Sequence, residues 1–159
     1  MAKPSFIETD LEKWLKSFRF KTSSRTRFGE TDAFGHINNV SYFTYFEQAR
    51  IDYFENLEIF EQLNIRKSLL AEPNDNIVVT ANLECHYLSE LLYGQNIDTY
   101  VRTARLGNSS FDLEYAIVDD KNNLIAVGQG SIVYINRTTK KGEPLPERVK
   151  KTIAAYENL

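Results

Sequence analysis

Residues 27 to 42 read Arg-Phe-Gly-Glu-Thr-Asp-Ala-Phe-Gly-His-Ile-Asn-Asn-Val-Ser-Tyr. A carboxylate (Asp32), an imidazole (His36) and two carboxamides (Asn38 and Asn39) gather where an alternating, strand-like run meets an aromatic, helix-like one. The first turn of a helix leaves its amides without internal partners. The same end favours negative charge, so an oxygen that becomes an anion during a reaction is stabilised there. This join is therefore the expected active site. Glu47 lies two helical turns beyond Asn39, where it can either reach the site as a second carboxylate or pair with Arg50 or Arg27.

The elements that must position these groups follow from local pattern. Thr9 or Asp10 can cap a short, peripheral helix running to Phe18. Phe18 to Phe28 alternates apolar and charged residues and predicts a strand whose end delivers Asp32 into a loop. Asn38 to Asn56 changes to helical period, with Val40, Phe43, Phe46, Ala49, Arg50, Tyr53 and Phe54 on one stripe and Tyr42, Tyr45 and Ile51 widening it. A helix apolar over that much of its circumference belongs in a core. Leu57 to Ala71 predicts further helical turns that stop before Pro73, because a residue preceding proline avoids helical dihedrals.

Four strand-like runs follow, Ile77 to Tyr87, Asn96 to Leu106, Ser110 to Asp119 and Leu124 to Asn136. Gly107-Asn108 and the stretch from Asp119 to Asn123 tolerate tight backbone, so neighbouring runs are expected to pair as antiparallel hairpins. Glu147 to Asn158 predicts a terminal helix after Pro144 and Pro146. A strand, a long apolar helix and four strands suggest an α+β architecture, one antiparallel sheet folded around one helix. Such a sheet keeps an outer face and an edge strand that a second copy can cover, so at least a homodimer is expected.

The totals narrow the function. A chain of 159 residues suits a single domain, and 42% hydrophobic with 26% charged residues is ordinary for a globular protein. A net charge of -3 offers no basic surface for a nucleic acid backbone. The single cysteine, Cys85, cannot form an intrachain disulfide, and no Cys/His cluster has zinc spacing, so no metal is expected and the cytoplasm is the expected compartment. The first ten residues lack a basic segment followed by an apolar one, and no stretch approaches the ~18 apolar residues of a membrane span. Neither processing nor a membrane partner is expected.

The run from Arg27 to Tyr42, continued by Tyr45-Phe46-Glu47-Gln48-Ala49-Arg50, resembles the hotdog-fold acyl-CoA thioesterases of the 4-hydroxybenzoyl-CoA thioesterase type, with Thr-Asp-x-x-Gly-His-Ile-Asn-Asn at its centre. Cys85 to Ser89 is similar to the end of that family's second strand, Arg105 to Phe111 to its next hairpin turn, and Ala126 to Gly130 to its last strand. The likeness runs from about Phe18 to Pro146. It implies a five-stranded antiparallel sheet wrapped around one long helix with short flanking helices. It also implies hydrolysis of an acyl thioester of coenzyme A or acyl carrier protein, no metal or redox cofactor, and sites formed between subunits of a homodimer or homotetramer. The chain departs from the family in the loop after the second strand, where Glu90 and Gln95 stand in place of a proline and a Gly-Asp pair.

Under that resemblance Asp32 is the general base or, alternatively, a nucleophile forming a mixed anhydride. The backbone N–H of Asn39 polarises the carbonyl. Gly35 lets the loop approach substrate closely or adopt a positive φ, His36 and Asn38 hold the loop, and Tyr42 is among the aromatics whose edges can line an acyl pocket. Structural alternatives stand beside each. Asp32 can be a loop aspartate, His36 a hydrogen-bonding loop residue, Asn38 or Asn39 a helix cap, and the aromatics core. Cys85 and His86 read as strand residues. Arg102, Arg105, Arg137, Lys140 and Lys141 are available for a phosphate-rich head group, with none assigned. A non-catalytic acyl-thioester-binding module and a hotdog dehydratase or hydratase are the competing functions.

Overall fold

A computed structural model describes residues 3–63 and 75–159. A short helix α1 (Leu11–Leu15) precedes strand β1 (Phe20–Arg25) and a single 3-10 turn (Phe28–Glu30). The long helix α2 (Asn39–Asn56) and the short α3 (Ile59–Gln62) follow. Strands β2 (Asn76–Tyr87), β3 (Asn96–Leu106), β4 (Ser110–Asp119) and β5 (Leu124–Asn136) lead to the terminal helix α4 (Glu147–Glu157). The expected helix from Leu57 to Ala71 is represented by α3, and its remainder lies outside the described residues.

All five strands form one antiparallel sheet in the order β1-β3-β4-β5-β2. The hairpins β3–β4 and β4–β5 form at the expected turns. Gly107 N–H donates to Ser110 O at 2.8 Å, and Asp119 Oδ1 accepts from the amides of Lys121 and Asn123. β2 and β3 do not pair as a hairpin, because β2 crosses to the far side of β5 while β3 takes β1.

α2 lies against the inner face. Phe46 stacks on Tyr115 with ring centroids 4.7 Å apart, Phe54 meets Phe111 and Tyr53 meets Phe20. Phe46 reaches the sheet because Gly128 lacks a side chain. A Cβ there would sit 2.5 Å from Glu84 O and 2.7 Å from the Phe46 ring. The buried stripe of α2 is Tyr42, Tyr45, Phe46, Ala49, Tyr53 and Phe54. It is rotated from the expected one: Val40 is 64% exposed in the first turn, and Arg50 turns to Thr80 Oγ1 at 3.0 Å.

The N-terminal segment is not peripheral. Asp10 caps α1 by accepting from Lys13 N–H, and the segment lies across the outer face of the sheet, where Ile7, Trp14 and Phe18 bury against Ala116 and Val127. Trp14 Nε1 donates to Glu114 at 2.7 Å, and Arg102 donates to the same carboxylate.

Candidate active site

The strand β1 and the 3-10 turn carry the chain under the start of α2, and Glu30 fastens the turn. Its carboxylate accepts from Arg27 N–H at 2.7 Å and from the Tyr45 hydroxyl at 2.6 Å, and its carbonyl accepts from Asn38 N–H at 2.7 Å. Residues 31 to 37 then close a tight loop. Thr31 and Ile37 bridge, Asp32 N–H donates to His36 O at 2.8 Å, and Gly35 N–H donates to Asp32 O. Gly35 has φ +85°, the positive value that a side chain disfavours.

Within this loop Asp32 Oδ1 accepts from Phe34 N–H at 2.8 Å and from His36 N–H at 3.2 Å. Two amides hold that oxygen, while Oδ2 has no hydrogen-bond partner among the described residues. Asn38 is the cap of α2: its side chain accepts from Val40 N–H at 2.9 Å and its carbonyl from Ser41 N–H. Those two bonds leave Asn39 N–H as a first-turn amide with no acceptor among the described residues.

Asp32, His36, Ile37, Asn39 and Tyr42 line one open cleft of about 610 Å³, closed on its other side by Tyr87, Leu88, Ser89, Glu90 and Leu91. Gly35 and Asn38 do not line it and instead shape the loop and the helix start. Tyr42 is buried at the floor, edge-on to Tyr87 at 4.9 Å, and the Tyr87 hydroxyl donates to Asn39 O at 3.0 Å. Burial, with Cys85 and Tyr87 adding to it, pushes the Tyr42 phenol up to about 12. Burial first, and then Cys85, also raises the Tyr87 phenol, and burial followed by Glu30 raises that of Tyr45. All three therefore remain protonated at neutral pH, and Tyr87 and Tyr45 serve as donors.

Glu47 is exposed on α2 and does not line the cleft. It forms neither expected pair, since Arg27 is taken by Glu30 and Arg50 by Thr80. The reason is angular: the sheet selects the Tyr42–Phe46–Ala49 face of α2, and Glu47 falls outside it. The second cleft carboxylate is Glu90, whose Oε2 lies 3.0 Å from His36 Nε2. Sequence reading noted Glu90 only as a departure from a family pattern, and it passed over Glu30 and Tyr87; the charged residue in place of a loop proline was the one available signal. Arg102 and Arg105 pair with Glu114 and Asp112 on the outer face, away from the cleft. Among the described residues no group of three or more His, Cys, Asp or Glu could hold a metal ion, and no helix is long and apolar enough to cross a membrane.

The sequence profile of the thioesterase-like superfamily matches residues 26–153. The chain is 30% identical to the uncharacterised protein YsmA of Bacillus subtilis over 153 residues, covering 96% of this chain and 97% of YsmA. A thioesterase of Thermus thermophilus, whose crystal structure is a complex with coenzyme A and Zn, superposes with a TM-score of 0.73 at 29% identity, over 91% of this chain and 98% of that one. The DHNA-CoA thioesterase of Staphylococcus aureus shares the fold, with a TM-score of 0.71 at 21% identity over 87% of this chain and 92% of its own.

Proposed function

The chain belongs to the thioesterase-like superfamily, and from that premise we propose that it is a cytoplasmic hydrolase of acyl-CoA or acyl carrier protein thioesters, with Asp32 as base or nucleophile and Asn39 N–H as the oxyanion donor. The observation that carries this reading is the division of labour at Asp32. One oxygen is pinned by two loop amides while the other is free on a cleft that also holds an unused helix amide. The two amide bonds to Oδ1 fix the direction of the carboxylate and leave Oδ2 on the cleft, as either role requires.

As a base, Asp32 Oδ2 takes a proton from water as the water oxygen bonds to the thioester carbon. The carbonyl electron pair moves onto oxygen, where Asn39 N–H meets it. Collapse of that tetrahedral intermediate breaks the C–S bond, and the departing sulfur takes up the proton to give free thiol and acid. As a nucleophile, Oδ2 itself bonds to that carbon and expels the thiolate, and water then opens the anhydride. His36 and Asn38 hold the loop and the cap, Gly35 permits the turn, and Tyr42 floors the acyl end of the cleft. Glu47 has no part in this scheme within one chain.

Coenzyme A bound to the Thermus thermophilus relative supports a CoA thioester as the substrate class. Assembly as a homodimer or homotetramer is supported by two sheet edges, β1 and β2, that pair with no further strand among the described residues, and by Phe28, Phe34, Val40, Leu92 and Tyr93, large apolar side chains exposed around the loops that carry the site. The test is thiol release from a panel of acyl-CoAs. Wild type is expected to turn over at least one of them, and Asp32→Asn to lose about a hundredfold or more with its fold retained. Binding of acyl-CoA without turnover of any would convert the reading to a non-catalytic module.

A further inference from the structure

The segment from Leu88 to Gln95 forms the far wall of the cleft and is held from several sides. Leu88 and Ser89 amides both donate to Ile125 O, and the Leu92 amide donates to Gln95 Oε1 at 2.6 Å. Thr26 Oγ1 donates to Leu92 O at 2.8 Å, and Leu91 is fully buried. This wall touches the Asp32 loop at two adjacent points. Ile37 N–H donates to Leu91 O at 2.8 Å, and beside it Glu90 Oε2 lies 3.0 Å from His36 Nε2. His36 in turn donates its amide to Asp32 Oδ1. Glu90 therefore sits one residue removed from the reacting carboxylate, on a fixed support, and the hydrolytic scheme gives it no part.

We infer that Glu90 is a positioning residue of the hydrolytic site: its carboxylate accepts the Nε2 hydrogen of His36 and, through that residue, keeps the Asp32 loop in its reactive shape. A carboxylate oxygen can only accept, so the contact selects the His36 tautomer with hydrogen on Nε2 and sets the ring's direction. Both side chains are about half exposed, and an isolated pair of that kind adds little to folding stability. Its effect lies in geometry, since the adjacent Ile37–Leu91 bond already holds the two loops in register. The titratable groups lining the cleft with His36 are Glu90 across it, Asp32 on its own loop and the Tyr42 and Tyr87 phenols, and no lysine or arginine lines the cleft among the described residues. Among the described residues Glu90 is the carboxylate within ion-pair distance of Nε2.

The kinetic part of this inference rests on the thioesterase reading, and the spectroscopic part does not. Nitrogen-15 NMR of the imidazole in the intact protein is expected to show neutral His36 protonated at Nε2 in wild type and Glu90→Gln, and a mixture of tautomers in Glu90→Ala. In thiol-release assays Glu90→Ala is expected to lower kcat about tenfold, less than the ~10²-fold that a full 1 Å misplacement costs, with KM changed by less than about twofold. Glu90→Gln is expected to recover most of that loss, and the Glu90→Ala effect is expected to vanish in a His36→Phe background. An even tautomer mixture in wild type, an unchanged kcat in Glu90→Ala, or effects of the two substitutions that simply multiply would each overturn the inference. Should wild type hydrolyse no thioester, the hydrolytic reading falls, and the tautomer comparison alone still decides whether Glu90 holds His36.

Discussion

Asn38 and Glu30 do little chemistry themselves, yet the free amide of Asn39 depends on both. Asn38 occupies the two amides that follow Asn39, those of Val40 and Ser41, and Glu30 ties the preceding turn to α2 through Tyr45. Asn38→Ala is expected to cost about 1 kcal/mol of stability, the usual loss for a helix cap, and to lower turnover as the first turn frays. Urea denaturation and kcat measured on the same sample check both. Tyr45→Phe removes the hydroxyl donor from a carboxylate that is largely enclosed, and a loss of about 1–3 kcal/mol is expected. Cys85 sits behind the cleft floor, where burial pushes its thiol up to about 11 against a small opposing effect of Tyr87. Since a raised thiol value leaves almost no thiolate at pH 8, native protein is expected to resist iodoacetamide at that pH while urea-unfolded protein alkylates readily.

At the scale of elements, the depth at which α2 beds on the sheet decides where its first turn lies relative to the Asp32 loop. Two glycines of β5 set that depth. Gly128 admits the Phe46 ring and Gly130 passes close to the Asn82 carbonyl, with little free space at either. Gly128→Ala is expected to destabilise by about 1–3 kcal/mol as an overpacked core position, read from the urea midpoint. Gly35 presents the opposite case, since an added Cβ would meet nothing within 4 Å. Its cost is the positive φ alone, about 1–2 kcal/mol, spent on the loop that holds Asp32. Gly35→Ala is accordingly expected to reduce thiol release far more than it lowers the melting temperature.

For the whole molecule, the sheet's outer face is closed by two means. The N-terminal segment covers its apolar half with Ile7, Trp14 and Phe18, and the uncovered half carries Arg105 with Asp112, Ser131 with Asp112, and Gln129 with Glu84. That pattern leaves the strand edges and the apolar rim of the cleft as the places expected to meet further copies, and a mass two or four times that of one chain is expected in sedimentation equilibrium. Trp14 is the only tryptophan, so its fluorescence reports on the segment by itself. Trp14→Ala is expected to cost about 3–5 kcal/mol, because it opens a large cavity and removes a donor from the buried Glu114.

Read alone, the chain determined most of the elements and where the long helix begins. The strands β3, β4 and β5 begin and end where β-forming runs meet Gly107-Asn108 and the aspartate–asparagine turn. Asn38 caps a helix that starts where the period changes, and Asp32 lines one cleft with Asn39 of that helix's first turn. These are local properties, written in side-chain period and turn chemistry within a few residues. The tertiary structure decided what local period cannot encode: that β2 crosses to lie beside β5, and that the N-terminal helix covers the outer face. It also decided that the buried face of α2 excludes Glu47 and that Glu90 meets His36 from another loop. α2 carries aromatics around much of its circumference, so its own sequence leaves the inward face open until the sheet selects one. A contact between loops separated by α2, α3 and β2 exists only once that choice has been made.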